Sequence, residues 1–230
     1  MPKPRFRLLA SGALPLLLPL MLVLVFAMHL RSLPQFLDFR LRYVPAPPEA
    51  VVRWLVAGDG QRPFLHDPHV IAYLGLPLLL VSALALYQRG RPRRPRASAA
   101  AFALTAAGTI YVGGLFGMWT SFYDGIAHVD ARHLEGASAT FAALTAPRGA
   151  FLLTTTLAKL AFAGLALQGL VLWGRDARSR LAALSIALGC ALFLAFWDLD
   201  NWMLVGSVLL LVGLAASRPA TARAPGRGGG

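Results

Sequence analysis

The chain has very little cysteine and few charged residues. Cys190 is the only cysteine, so no disulfide can form within the chain. Lysine, arginine, aspartate and glutamate together make up only 14% of the residues, which is low for a soluble domain. The sequence also contains no glycine-rich phosphate loop, no CxxC or HExxH motif and no Ser/His/Asp nucleophile pattern. These absences argue against a disulfide-stapled domain, a P-loop nucleotidase and the common zinc or serine hydrolases.

Long apolar runs take the place of these features, since 57% of the residues are hydrophobic. The runs show almost no polar face, and most approach the roughly 20 residues that cross a bilayer core. They are Leu8–His29, Val70–Tyr87, Ala97–Trp119, Ala150–Trp173, Leu181–Trp197 and Trp202–Ala216. We therefore predict an all-α polytopic transmembrane helix bundle of about six spans. Residues 1–217 would form one domain, followed by a disordered cytoplasmic tail at 218–230.

Two of the runs carry small residues four positions apart. Gly113 and Gly117 form such a pair in the third run, and Ser185 and Gly189 form one in the fifth. Small residues at this spacing let two helices approach closely in a membrane. We interpret both pairs as contacts within the bundle.

The basic residues predict the orientation of the chain in the membrane. The net charge is +12, and most of the arginines lie before the first run, at 89–96, at 175–180 and after residue 217. Cytoplasmic loops are the ones enriched in lysine and arginine, so both termini are predicted to be cytoplasmic. The same rule explains the basic charge without nucleic acid, which we do not expect as a partner. We predict a multi-pass protein of the bacterial inner membrane, with the lipid bilayer and other membrane subunits as partners.

The residues able to do chemistry fall almost entirely on the opposite, periplasmic side. All five histidines lie at or beyond the predicted outer ends of the runs: His29, His66, His69, His128 and His133. Nine of the ten carboxylates share that side, and Asp176 is the exception. Histidine and carboxylate side chains bind metals and move protons near neutral pH. Any chemistry is therefore expected at the outer face.

Asp124 and His128 form the candidate core of a metal site. If the third helix continues to Gly136, Asp124 and His128 lie within about 40° of each other on one stripe, together with Glu135. An Asp/His pair four residues apart can ligate one ion. The candidates for a third ligand are His133 (if the helix breaks before it), His66, His69, Asp198 and Asp200. Copper or zinc is the expected ion because imidazole suits both. The alternative is ordinary loop polarity, in which these side chains are solvated or pair with arginines.

The segment Asp124-Gly125-x-x-His128, at the outer end of a span, resembles an Asp-Gly-x-x-His segment in a metal-binding membrane subunit of the copper membrane monooxygenases. Those enzymes act on methane and ammonia, and that subunit has a similar number of spans. The resemblance implies that Asp124 and His128 bind a metal in a membrane redox complex. In the family a later histidine, in a Pro-Ser-His segment, joins them. The matching place here runs from Thr145 to Arg148 and contains no histidine.

Lys159 is the second unusual residue. It lies about ten residues into the fourth run, near the bilayer centre, where a lysine costs about 2.5–3.5 kcal/mol on insertion scales. Arg148 and Thr155 share its helix face. One interpretation is that Lys159 and Arg148 bind an anion, a quinone or a lipid as a cofactor site. The other is a lysine that faces the bundle interior and bonds to threonine hydroxyls and backbone carbonyls.

Three functions therefore remain open from the sequence. The first is a membrane protein with a metal site on its outer face, acting as a subunit of a redox complex. The second is a structural or assembly subunit of a larger membrane complex, with no site of its own. The third is a small transporter or enzyme that uses Lys159. No run carries paired acids, which argues against the usual proton-coupled transporter. The sequence leaves open whether the chain is an enzyme.

Overall fold

The computed structural model describes residues 13–30, 37, 47–58, 66–146, 148–197 and 200–218, and these residues form helices with no strand. The α-helices are α1 (Leu17–His29), α2 (Pro48–Val56), α3 (His66–Leu74), α4 (Leu76–Gly90), α5 (Pro95–Ala127), α6 (Leu134–Thr145), α7 (Gly149–Val171), α8 (Ala177–Ala195) and α9 (Asp200–Ala216). The 3-10 turns Leu14–Leu16 and Ala131–His133 precede α1 and α6. The all-α prediction is confirmed. Of the predicted tail only Arg218 is described, and residues 8–12 of the first run lie outside the described part.

Three helices, α5, α7 and α8, are long and apolar enough to cross a membrane. The helices α3 and α4 form a fourth candidate if they are taken as one span, bent by 43° at Gly75. The apolar helices Leu14–His29 and Asp200–Ala216 are shorter. Such a set is compatible with an integral membrane protein. The count of about six spans and the cytoplasmic termini stay predictions.

Side chains and prolines fix where the long helices begin. Pro95 opens α5, a position where the missing N–H of proline costs no hydrogen bond. Asp176 caps α8: its carboxylate accepts hydrogen bonds from the backbone N–H of Ser179 at 2.8 Å and from the Ser179 hydroxyl at 2.6 Å. These hydrogen bonds hold the pKa of Asp176 below its usual value. The acid that stands apart from the others in the sequence therefore has a structural role.

Six of the nine described helices form a closed ring. Going around it, α5 packs on α7, α7 on α8, α8 on α9, α9 on α1, α1 on α3, and α3 on α5. The helices α2 and α6 pack on each other and on the end of α5 that carries Tyr123 and Ile126. We call α2 and α6 the cap. The ring thus has a capped end, where α1 and α5 finish and α3, α7 and α9 begin.

Glycines set the closest approaches within the ring. A side-chain carbon on Gly108 of α5 would lie 2.0 Å from the backbone nitrogen of Ala161 in α7, and one on Gly164 would lie 2.5 Å from the backbone nitrogen of Thr105. On Gly189 of α8 it would lie 2.6 Å from the backbone oxygen of Gly206 in α9. No side chain fits at these places, so the helices pack backbone to backbone.

The small residues singled out in the sequence do pack within the bundle. Gly189 belongs to the α8–α9 contact just described. A side-chain carbon on Gly113 would meet Leu76 at 3.2 Å, and one on Gly117 would meet Tyr73 at 3.4 Å, both on the α3–α4 side of α5. The separation at Gly117 is an ordinary contact, and the one at Gly113 is tighter but involves the end of a leucine side chain. The tightest packing of α5 lies one turn earlier, at Gly108.

Gly108→Ala tests this packing. The added methyl would collide with the α7 backbone, so we expect a loss of about 1–3 kcal/mol in the free energy of unfolding. The control is Gly114→Ala on the same helix, where, among the described residues, no atom beyond the adjoining backbone of α5 lies within 4 Å of the added carbon. The control should be neutral or slightly stabilising, since alanine favours helix over glycine by up to about 1 kcal/mol. Denaturation midpoints in detergent micelles measure both. Equal midpoints for the two variants would contradict the α5–α7 contact.

Candidate functional site

The predicted ligands at the end of α5 lie exposed and are not brought together. α5 ends at Ala127 and does not reach Gly136. His128 directs its Nδ1 back to the backbone oxygen of Asp124, at 2.7 Å, and Asp130 caps the next turn by accepting from the backbone N–H of Arg132. The helical stripe therefore breaks at His128, and Glu135 belongs to α6 instead. Asp124, His128 and His133 are all exposed.

The other candidates for a third ligand do not join this pair. The Nδ1 atom of His66 lies 3.1 Å from Oδ1 of its neighbour Asp67. His69 lines the interior of the bundle, and Asp198 lies outside the described residues. Among the residues that the structure describes, no group of three or more histidine, cysteine, aspartate or glutamate side chains could hold a metal ion. A complete metal site would need a donor from beyond this part of the chain.

A different pair, His29 and Asp200, is buried at the capped end of the ring. The two side chains are 5% and 6% exposed as residues, and Nδ1 of His29 lies 2.9 Å from Oδ1 of Asp200. When the carboxylate is ionised it can only accept, and the Nδ1–H of His29 is then the donor. The contact joins the last residue of α1 to the first residue of α9. The positive end of the α9 dipole lies beside the carboxylate and offsets part of its desolvation.

His69 and Tyr123 extend this pair into a cluster. The ring of His69 lies 5.6 Å from that of His29 and 5.1 Å, edge to face, from that of Tyr123, between centroids. We call His29, His69, Tyr123 and Asp200 the polar cluster. Its members come from α1, α3, α5 and α9, so it exists only in the folded ring. Together they offer imidazole, phenol and carboxylate groups that donate or accept hydrogen bonds.

The polar cluster lines a cavity of about 450 Å³ inside the ring. The rest of the wall is mostly apolar and includes Leu18, Met21, Leu22, Val25, Phe26, Ala72, Leu76, Leu79, Val112, Leu115, Phe116, Phe162, Phe193 and Met203. Phe162 and Phe193 stack face to face at 4.3 Å in this wall. The cavity is thus a largely apolar chamber with its polar groups gathered at the capped end.

The cap and its aromatic neighbours border the cavity on that side. Pro48 and Val51 of α2 and Phe141 of α6 contribute to the lining. Trp119 of α5 stacks on Tyr123 at 5.2 Å and contacts Phe141 at 5.9 Å, between ring centroids. These aromatic contacts attach the cap to the ring. They also hold the Tyr123 ring in its position beside His69.

Lys159 and Arg148, predicted as a second ligand site, belong to neither the cavity wall nor the polar cluster. Arg148 is exposed and precedes the first residue of α7. Lys159 is half-buried, and within the described part of the chain no hydrogen bond or ion pair reaches it, from a threonine or from any other residue. The interpretation of Lys159 as an interior lysine bonded to threonines therefore finds no support among these residues.

Two members of the polar cluster escaped the sequence analysis as partners. His29 counted only as one of the outer histidines, and Tyr123 had no role. The usable signal is that one apolar run ends in His29 while Asp200 lies two residues before another run, on the same predicted side. Polar residues at such depth tend to be paired. Comparison with protein-family models, curated proteins and solved structures finds no match to the chain.

His29→Leu tests the buried pair. It leaves the Asp200 carboxylate without its histidine, and removing one member of a buried pair costs about 3–5 kcal/mol. The double variant His29→Leu/Asp200→Leu removes both polar groups and should recover most of the loss. Arg53→Leu is the control, because it breaks the exposed Arg53–Glu49 pair and should cost less than about 1 kcal/mol. Thermal unfolding in detergent gives the comparison. A single His29 variant as stable as the unmodified chain would contradict a stabilising pair.

Proposed function

We propose that the chain is an integral membrane protein that binds a lipid-soluble small molecule with a polar head in the cavity of the helix ring. The observation that carries this proposal is the joining of an apolar chamber with one group of polar side chains, His29, His69, Tyr123 and Asp200. Binding sites for small molecules are mostly apolar, with a few polar groups that fix orientation. The volume of about 450 Å³ also falls within the usual range of such sites, about 300–1,000 Å³.

The polar cluster determines which head groups fit. A phenol hydroxyl and imidazole rings donate and accept hydrogen bonds, whereas a carboxylate beside them disfavours an anionic head. Quinones and phenols have neutral oxygen heads and apolar tails, and both match this wall. The tail would lie along Leu22, Leu79 and Val112, with the head toward Tyr123. We take a quinone as the representative ligand.

The break between α3 and α4 supplies a route of entry from the lipid. Gly75, where the bend of 43° occurs, lines the cavity together with Met21 and Leu76. A side-chain carbon on Gly75 would lie 1.7 Å from the Met21 sulfur. The bend between α3 and α4 thus contacts α1 through a glycine and a flexible methionine. Methionine changes rotamer readily. Its movement would open the wall beside the exposed Leu74.

Quenching of tryptophan fluorescence by a decyl-substituted benzoquinone tests the proposal, since Trp119 and Trp197 line the cavity. Val112→Phe fills the chamber and should weaken saturable binding by at least about tenfold, or 1.4 kcal/mol. Ile110→Phe is the control, two residues away on α5 but 75% exposed. It should bind as the unmodified chain does. Quenching that never saturates, or that both variants leave unchanged, would show partition into detergent and not a site.

A second pair of variants tests whether Tyr123 binds the head group of the ligand. Tyr123→Phe removes only the hydroxyl in the cavity and should weaken quinone binding by the worth of one hydrogen bond, about 0.5–1.5 kcal/mol. Tyr111→Phe makes the same change on the outer side of α5, where Tyr111 does not line the cavity, and should have no effect. The same titration measures both affinities.

A copper or zinc site completed by another subunit is the second candidate function. It is favoured by His128, whose Nδ1 bonds to the backbone oxygen of Asp124 at 2.7 Å. This hydrogen bond sets the tautomer and leaves Nε2 as the lone-pair atom, as in histidines that ligate metals. Asp124 and His128 are exposed, so a neighbouring subunit of a redox complex would have room to add donors. The resemblance to the copper membrane monooxygenases motivates the same pair.

Metal analysis of the protein, isolated in mild detergent with its partners, tests this second function. We expect one copper or zinc per chain, lost in His128→Ala because the ion would lose its imidazole ligand. His66→Ala is the control, since His66 faces Asp67 and not this pair. Metal retained in His128→Ala, or no stoichiometric metal in the intact complex, would rule out the Asp124–His128 site.

A further inference from the structure

Lys159 lies halfway along α7, one of the three helices able to cross a membrane. It follows Gly149 by ten residues, which places it about 15 Å from the capped end of a helix whose midpoint is close to that distance. A bilayer core is about 30 Å thick. The ammonium group therefore belongs to the middle of the hydrocarbon region unless its side chain reaches another polar group.

The helix face that carries Lys159 looks away from the ring. The buried residues of α7 are Ala158, Ala161, Phe162, Gly164, Leu165, Gln168, Gly169 and Val171. The exposed residues include Leu152 and Leu170, and at 100° per residue Lys159 lies within about 20° of both. Only 28% of the most apolar stretch of α7 is buried. Other exposed residues, Leu153, Thr156 and Leu167, lie about 60–120° farther round on the same side, so Lys159, which is half-buried, lies at one edge of the outward stripe.

The described part of the chain offers no carboxylate at this depth. Its acids lie within about one turn of a helix end or in a connection. They are Glu49, Asp67, Asp124, Asp130, Glu135, Asp176 and Asp200. A second copy of these residues would also lack a carboxylate at this depth. Pairing between two copies therefore does not supply a negative charge for Lys159. An uncompensated lysine in a membrane span is costly, and such residues are usually paired.

We propose that the outward face of α7 binds a transmembrane helix of a different subunit, which carries an aspartate or glutamate at mid-membrane depth. Lys159 forms the ion pair with that carboxylate. Thr156 and Ala163 lie on the same face on either side of the lysine, and their small side chains let a second helix approach closely. The partner is thus recognised by one buried charge and by shape. This proposal does not depend on the ligand of the cavity.

A designed helix provides the test. Two labelled peptides of about 22 leucine and alanine residues carry either one central glutamate or a glutamine, and energy transfer reports their association with the labelled chain in zwitterionic vesicles. The chain should prefer the glutamate peptide by at least about tenfold. Lys159→Met should lose that preference, because methionine keeps the length of the side chain without its charge. Lys159→Glu should instead prefer a peptide with a central lysine.

Arg148→Met is the control. It removes an exposed cation at the end of the same helix and should keep the preference for the glutamate peptide. Lys159→Met should also unfold at the same or a higher temperature than the unmodified chain, so lost association would not reflect lost folding. Equal association of the two peptides overturns the proposal. So does a preference that survives Lys159→Met, or association between two labelled copies of the chain that requires Lys159.

Discussion

The hydrogen bond between His29 and Asp200 connects residues that are 171 positions apart and closes the ring of helices. Without it, α1 and α9 would still share apolar contacts, but their ends would lose this buried polar contact. Each of these two buried groups is the hydrogen-bond partner of the other. They favour one arrangement of the helices, because most other arrangements would leave a buried charge or donor without a partner. That arrangement determines the shape of the cavity and the positions of His69 and Tyr123. It also determines where the cap packs on the ring. This one hydrogen bond therefore supports both the fold and the candidate site.

The helix α7 separates two kinds of environment. On one side Phe151 and Phe162 help to line the cavity, and the backbone packs against α5 through Gly108 and Gly164. On the other side Lys159 stands among exposed apolar residues. The first face packs against this chain and lines its cavity, whereas the second has a charge that the described residues do not balance. A small ligand and a partner helix would thus use opposite faces of the same element without competing.

The sequence was sufficient for the features that depend on composition and local pattern. Apolar runs predicted the helical class, and the side on which the histidines gather agrees with the capped end of the ring. It could not predict that the stripe of Asp124, His128 and Glu135 is interrupted, because the end of α5 is decided by side chains that bond to the backbone, at His128 and Asp130. Helical periodicity assumes a continuous helix and cannot detect such a break.

Longer-range features were also hidden, for different reasons. The partner of His29 lies in the last described helix, and no local pattern links the two. Gly108 and Gly164 do not form a GxxxG pair within one helix; each matters because of the helix opposite. The direction of Lys159 follows only when the buried stripe of α7 is known, since the sequence of α7 is apolar on nearly every side.

The closure of the ring by its first and last described helices also has a consequence for biosynthesis. His29 is made with α1, whereas Asp200 follows only after α3, α4, α5, α7 and α8 have been made. During that interval Asp200 is not there to bond His29, and the chamber lacks the part of its wall that α9 contributes. The polar cluster is therefore complete only once α9 has been made and has packed against α1. A chain that stops before that helix lacks both Asp200 and the wall between α8 and α1, so its ring stays open at that place.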